Sequence, residues 1–290
     1  MVPVEHQPPA GYTHVVNPLL AVVVLVASVA VMVAMMLFAR RHAPPGSRVG
    51  DSDRSSGVFG FLGAGFVILL GFVIFLSFGT YDNARTQSEV EATAVIDQFA
   101  AAEVMPPALR NRAQAQLVCY GRSVVNLEWP AMANGQSSPV TDGWADDLEQ
   151  SGKSLPGMTG AEDAALAAWY SAQHDREMGR RARLLVAQGE IPLLLWSLII
   201  IGAVLVVGYV LLYADPDEEV TVQVAMVAGV TALVVASLLA VVVLASPFQN
   251  ENGSIEPVGM QYSLDTLKVD LAKDGTVLPL LCDARGVPVR

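Results

Sequence analysis

Four long runs of uncharged, mostly apolar residues punctuate the chain, at 18–39, 58–79, 191–214 and 220–246. A bilayer core about 30 Å thick is crossed by about 20 helical residues, so each run is long enough to span it. Each is predicted to be a helix, because a backbone in lipid must satisfy its amides within its own segment. The first run is too long for a cleaved signal peptide and has no Lys or Arg before it, so it reads as a retained span. The second is rich in glycine (Gly60, Gly63, Gly65, Gly71) and phenylalanine (Phe66, Phe72, Phe75, Phe78). The third opens at Pro192, which suits a first helical turn, with Trp196 near the interface. The acidic turn at 215–219 is short enough to demand a tight hairpin into the fourth run, which ends at Ser246-Pro247.

The chain divides accordingly into an N-terminal segment (1–17), a first transmembrane hairpin (18–79), a helical block (80–190), a second hairpin (191–246) and a tail (247–290). In the block, almost no breaker falls between Tyr81 and Ala102, so the second span is expected to run on as one long helix with Ala92, Ile96 and Phe99 on one face. Pro106-Pro107 separate it from the next helix. There Leu109, Ala113, Leu117, Tyr120, Val124 and Leu127 recur at three and four, the mark of an amphipathic helix. A shorter helix around Trp144 and Leu148 follows. Thr159 with Glu162 forms a capping box for a last helix that carries Leu166, Trp169 and Tyr170. The tail is expected to hold a short extended piece, a helix around 262–272, and a final stretch that is either a docking strand or a loose end. The fold class is thus an all-α membrane protein: four transmembrane helices in two hairpins, with an extramembrane helical block between spans two and three.

Composition sharpens this picture. The 290 residues are 53% hydrophobic and only 16% charged, which excludes an ordinary soluble enzyme and a disordered chain. A net charge of −11 makes nucleic acid an unsuitable partner. Orientation is balanced on sequence alone. The first loop carries Arg40, Arg41, Arg48 and Arg54 while residues 1–17 carry no Lys or Arg, which puts that loop inside. Arg176, Arg180, Arg181 and Arg183 argue the other way, since they precede the third span on the opposite side.

Several strings carry a family likeness: Ala84-Arg85 with Glu91-Ala92; Tyr120-Gly-Arg-Ser-Val-Val-Asn-Leu-Glu128-Trp129-Pro130; Arg180-Arg-Ala-Arg183-Leu184 followed by Pro192 and Leu195-Trp196; and Pro247-Phe248 with Gly253 and Ile255. Their order and spacing resemble the bestrophin-like bacterial domain family of unknown function, over about residues 57–267. That family is distantly similar to bestrophins, which are pentameric anion channels. The resemblance implies a homo-oligomer in membrane lipid that conducts a small anion in a bacterial plasma membrane; bestrophin orientation would make the helical block cytoplasmic, opposite to the first-loop count. It also implies an apolar pore stripe on the second span, one turn apart, for which Ala64, Ile68 and Phe72 are the candidates. A ring of such side chains can gate by dewetting, although lipid-facing or packing side chains give the same ladder.

Arg85, Arg180, Arg181 and Arg183 could form a belt that draws anions or binds lipid headgroups, or could snorkel beside the interface. Glu128 is expected to pair with an arginine of a neighbouring helix, with Trp129 as a core anchor and Pro130 as a kink. The carboxylates of the turn at 215–219 read as a solvated turn, since they lack the spacing of a calcium loop. The four histidines are scattered and form no metal-ligand spacing. No phosphate loop or nucleophile motif is present, so no cofactor and no enzymatic activity is expected. Cys119 and Cys282 are taken as two separate thiols; a bond between them would instead pin the tail onto the block, on an oxidising side. The alternative function is a non-conducting membrane scaffold whose helical block binds a partner protein.

Overall fold

The computed structural model describes residues 18–42, 52–153, 161–189, 191–213, 217–249, 253–273, 275 and 277–289. Nine α-helices are found among them: α1 (Pro18–Arg41), α2 (Ser52–Ala101), α3 (Pro107–Ser123), α4 (Trp129–Met132), α5 (Pro139–Lys153), α6 (Ala161–Ala187), α7 (Leu193–Val210), α8 (Val220–Ala245) and α9 (Val258–Lys273). The β-structure among the described residues is an isolated bridge between Cys282 and Pro288. Four helices, α1, α2, α7 and α8, are long and apolar enough to cross a membrane. The expected capping box at Thr159 lies outside the described residues.

Contacts separate the chain into two compact units. The first contains Val16–Tyr81 and Glu190–Ala245. Its core joins Phe66, Leu70 and Val73 of α2 to Ile199, Ala203 and Val206 of α7 and to Val234 and Val241 of α8. Gly202 lets α7 come close there, since a Cβ on it would meet the Phe66 ring at 2.6 Å. α1 packs along α8, around Met36, Val210 and Val227. At that end Arg40 donates to the Gln223 side chain at 3.1 Å and to the Glu218 carbonyl. Pro192 stands just before α7, and its carbonyl accepts from the amides of Leu195 and Trp196.

The second unit holds Asp82–Gly189 and Ser246–Arg290. α2 continues into it without a break, as the absence of Gly and Pro past Tyr81 predicts. α3 packs on α5 and α9, with Leu117, Cys119 and Tyr120 fully buried. Between α3 and α4 the chain widens into a π-helical turn, Val124–Glu128. The following Pro130 explains its position. A proline ring clashes with the carbonyl four residues earlier in an α-helix, and the wider turn gives that carbonyl room. The sequence-predicted kink is therefore a π-turn within a continuous helical path. The last stretch is docked. The Trp144 indole donates to the Gly286 carbonyl at 2.7 Å, and Arg122 donates to the Asp283 carbonyl at 3.1 Å. Gly286 has φ +90°, and a Cβ there would meet the Ser123 amide nitrogen at 2.4 Å, so only glycine fits.

Cys119 and Cys282 are bonded to each other, with Cα atoms 5.8 Å apart. This corrects the expectation of separate thiols. Spacing in sequence, 163 residues, says nothing about proximity. The folding of the tail over α3 brings the two together.

Candidate functional site

The buried face of α6 carries polar groups at helical spacing: Trp169, Gln173, Arg176, Arg180 and Arg183. Residues three and four apart share one face, so these side chains form a ladder pointing into the block. α6 can lie close against α2 because Gly179 interrupts the ladder. A Cβ at Gly179 would sit 2.7 Å from the Gln87 carbonyl and 2.9 Å from the Glu91 amide nitrogen.

Across that close contact, Arg183 donates to both oxygens of Glu91, at 2.7 and 2.8 Å. It also donates to Glu128 at 2.7 Å and stacks its guanidinium 4.9 Å from the centre of the Trp129 ring. Arg180 donates to both Glu128 oxygens through Nε, at 3.2 Å, and to Asp142 at 2.6 Å. The Tyr120 hydroxyl completes the set with a 2.7 Å bond to Glu91. Arg176 donates to Gln98 at 3.1 Å and lies 4.7 Å above the Tyr120 ring. A cleft of about 310 Å³ opens between α5 and α6, lined by Asp146, Glu149, Arg176, Arg180 and Arg181 among others.

Burial of charge without partners is costly, and this network removes most of that cost by pairing. Burial alone would raise the Glu128 carboxyl; the hydrogen bond from Arg180 and the charges of Arg183 and Arg180 outweigh it and hold the group below the ordinary carboxylate range. Burial would lower Arg183, but Glu91 and Glu128 hold it firmly protonated. Burial pushes the Tyr120 hydroxyl upward, and the Glu91 charge adds to the push, so Tyr120 remains a hydrogen-bond donor.

The structure brings several sequence-selected residues into this one place. Glu128 pairs with arginines of α6, as expected from its string. Trp129 is buried, donates to the Ile255 carbonyl at 2.9 Å, and meets Phe248 edge-on at 5.5 Å between ring centres. The Pro247 carbonyl accepts from the Ile255 amide at 2.7 Å, so the exit string folds back under the tryptophan. Pro130 is exposed. Pro192 and Trp196 belong to the other unit, where Trp196 packs on the α2–α7–α8 core.

The basic belt comes apart. Arg183 is fully buried between Glu91 and Glu128, while Arg180 is partly buried, held by Glu128 and Asp142 at the edge of the α5–α6 cleft. This corrects the belt at Arg183, which α6 turns fully inward. Arg181 is exposed, and Arg85 is exposed beside Glu89 at 3.2 Å. Ala64, Ile68 and Phe72 share one face of α2, opposite the side chains that pack on α7 and α8. Among the described residues this face is uncovered: Ile68 is 74% and Phe72 58% exposed. Gly57, Gly60 and Gly71 fall on the same face, and a Cβ on any of them would meet nothing within 4 Å.

The sequence does not mark Asp142, and it places Glu91 and Tyr120 only in the family strings and Arg176 only in the charge count before the third span. A signal existed for Glu91: it occupies an inward position of the stripe defined by Ala84, Ala92, Val95 and Phe99, where a lone carboxylate requires a buried cation. Among the described residues, no group of three or more His, Cys, Asp or Glu side chains is placed to hold a metal ion.

With four helices of membrane length among the described residues, the chain is an integral membrane protein. The bestrophin-like domain family matches residues 21–257, and the chain belongs to that family. Its fold is similar to that of a variant of a bacterial bestrophin homolog from Klebsiella pneumoniae, with a TM-score of 0.66 at 13% identity over 86% of this chain and 98% of the other. A second variant of that homolog gives 0.64 at 13% identity, over 86% and 98%. A crystal structure described as a membrane protein gives 0.63 at 13% identity, over 87% and 99%. No curated protein matches the chain.

Proposed function

We propose that copies of this chain assemble in a bacterial plasma membrane into an oligomeric channel for small anions, with Ala64, Ile68 and Phe72 lining the pore. The uncovered face of α2 carries the reading. It alternates small residues (Gly57, Gly60, Ala64, Gly71) with large apolar ones (Phe61, Ile68, Phe72, Phe75), and these stay exposed among the described residues. Small residues let helices of neighbouring copies approach closely, and rings of apolar side chains supply a gate that closes by dewetting. Family membership and the likeness to bacterial bestrophin homologs support the assignment. Arg85 and Arg181 are the exposed cations suited to attract anions. Transport of this kind needs no catalytic group and no cofactor.

Two measurements test the proposal. Crosslinking of the full chain in membranes should give a ladder ending at one closed oligomer. Purified protein in vesicles should pass chloride, with the flux changed by Phe72→Ala. A single crosslinked band with no flux would leave the scaffold reading, in which the block binds a partner protein.

A further inference from the structure

Between Cys119 and Cys282 the chain passes through two membrane-length helices, α7 and α8. The two sulfurs are nevertheless bonded. The segments carrying them therefore lie in one compartment. Disulfides persist in oxidising compartments and are rare in the reduced cytosol. This bond is part of a built structure. Cys119 is fully buried and Cys282 nearly so. The loop after Cys282 closes on itself through the bridge to Pro288, and the Asp283 carboxylate accepts from the amides of Arg285 and Val287.

We infer that the helical block and the tail face the oxidising, extracytoplasmic side of the membrane, and that the loop between α1 and α2 faces the cytoplasm. Loop charge supports this independently of the cysteines. Short cytoplasmic loops carry an excess of Lys and Arg. Arg40, Arg41, Arg48 and Arg54 cluster at the first loop, and residues 1–17 hold no Lys or Arg. The opposing count rested on Arg176, Arg180, Arg181 and Arg183. They lie close before α7, but in a block longer than the roughly 60 residues of a short loop, and long domains cross the membrane largely regardless of charge. Three of the four also face the block's own core, where Gln98, Glu91 and Glu128 engage them. The acidic turn before α8 contributes little, since acidic residues hardly influence orientation. The bonds from Arg40 to Gln223 and Glu218 place the end of α1 beside the start of α8, as two ends on one side of the membrane require.

This sidedness does not depend on the channel reading. Any ligand or partner of the α5–α6 cleft or of the tail then meets the protein outside the cytoplasm.

The test uses the full chain in a bacterial host, with one of two reporters at its C-terminus. Alkaline phosphatase becomes active only where its own disulfides form; a green fluorescent protein exported unfolded stays dark. Active phosphatase and a dark fluorophore are expected. In parallel, cells are treated with a membrane-permeant thiol alkylator before lysis, and peptides are mapped. The peptides containing Cys119 and Cys282 should run joined until reduced. A bright fluorophore with inactive phosphatase, or both cysteines recovered alkylated, overturns the inference.

Discussion

Arg183 Nε lies 2.7 Å from Glu91 Oε2, a bond between α6, just before the third span, and α2, just after the second. Both side chains are buried, and Glu128 shares the same guanidinium. A buried pair of this kind adds little net stability over apolar packing, yet removing one partner leaves an uncompensated charge at a cost of about 3–5 kcal/mol. Arg183→Ala is therefore expected to lower stability by about that amount, read as a large drop in melting temperature of the purified protein. Arg181→Ala, at an exposed position, should change stability by under about 0.5 kcal/mol.

Acid should undo the same core. The Glu128 carboxyl titrates below its ordinary value in the folded protein. A depressed folded-state value stabilises the protein above the unfolded value, and that contribution is lost as pH falls through the folded one. Melting temperature should thus hold from neutral pH to about pH 5 and fall below the ordinary carboxylate range. Glu128→Gln should be less stable at neutral pH and show a shallower acid loss. An unchanged acid limb in that variant would assign the effect to other carboxylates.

The Cys119–Cys282 bond closes a loop with a sequence separation of 163 residues. Removing a native disulfide of a small domain costs about 2–5 kcal/mol. Cys282→Ser should fall in that range. Part of the tail should stay docked, because the bonds from Trp144 and Arg122 do not involve sulfur. Limited proteolysis measures this: the variant's tail should be cut sooner than that of the parent, and Cys282→Ser combined with Trp144→Phe sooner still.

Glycines at two kinds of position should respond oppositely. Gly179→Ala inserts a methyl against the α2 backbone, and overpacking of this sort costs about 1–3 kcal/mol. Gly71→Ala meets nothing within the chain and removes a poor helix former, so the single chain should gain up to about 1 kcal/mol. If the α2 face meets neighbouring copies, larger substitutions such as Gly71→Leu should shorten the crosslinking ladder while leaving the folded chain intact. A ladder that is unchanged by Gly71→Leu removes this face from the assembly.

Much of the architecture was legible because its causes are local. An uncharged run of membrane length leaves few conformations open, and the spans at 18–39, 58–79, 191–214 and 220–246 follow from that alone. The continuation of α2 past Tyr81 follows from the lack of breakers, and the break at Pro106-Pro107 from the missing amides. Trp129 could be named as an anchor, but not its partners. Phe248 and Ile255 reach it from beyond two further spans.

The direction in which α6 points its arginines was not legible. Arg180, Arg181 and Arg183 look alike as a basic run, yet one is exposed, one partly buried and one fully buried. The difference is set by Gly179, which lets α2 come close enough to present Glu91, and by the π-turn that positions Glu128. Likewise, two cysteines on one side of the membrane permitted a bond without requiring it, and only the fold of the tail over α3 joined them. Sequence alone determined the helices, the spans and the family, because each rests on interactions within a few turns of chain. Tertiary structure decided which charges are spent in the core, because pairing depends on helices brought together from distant parts of the chain.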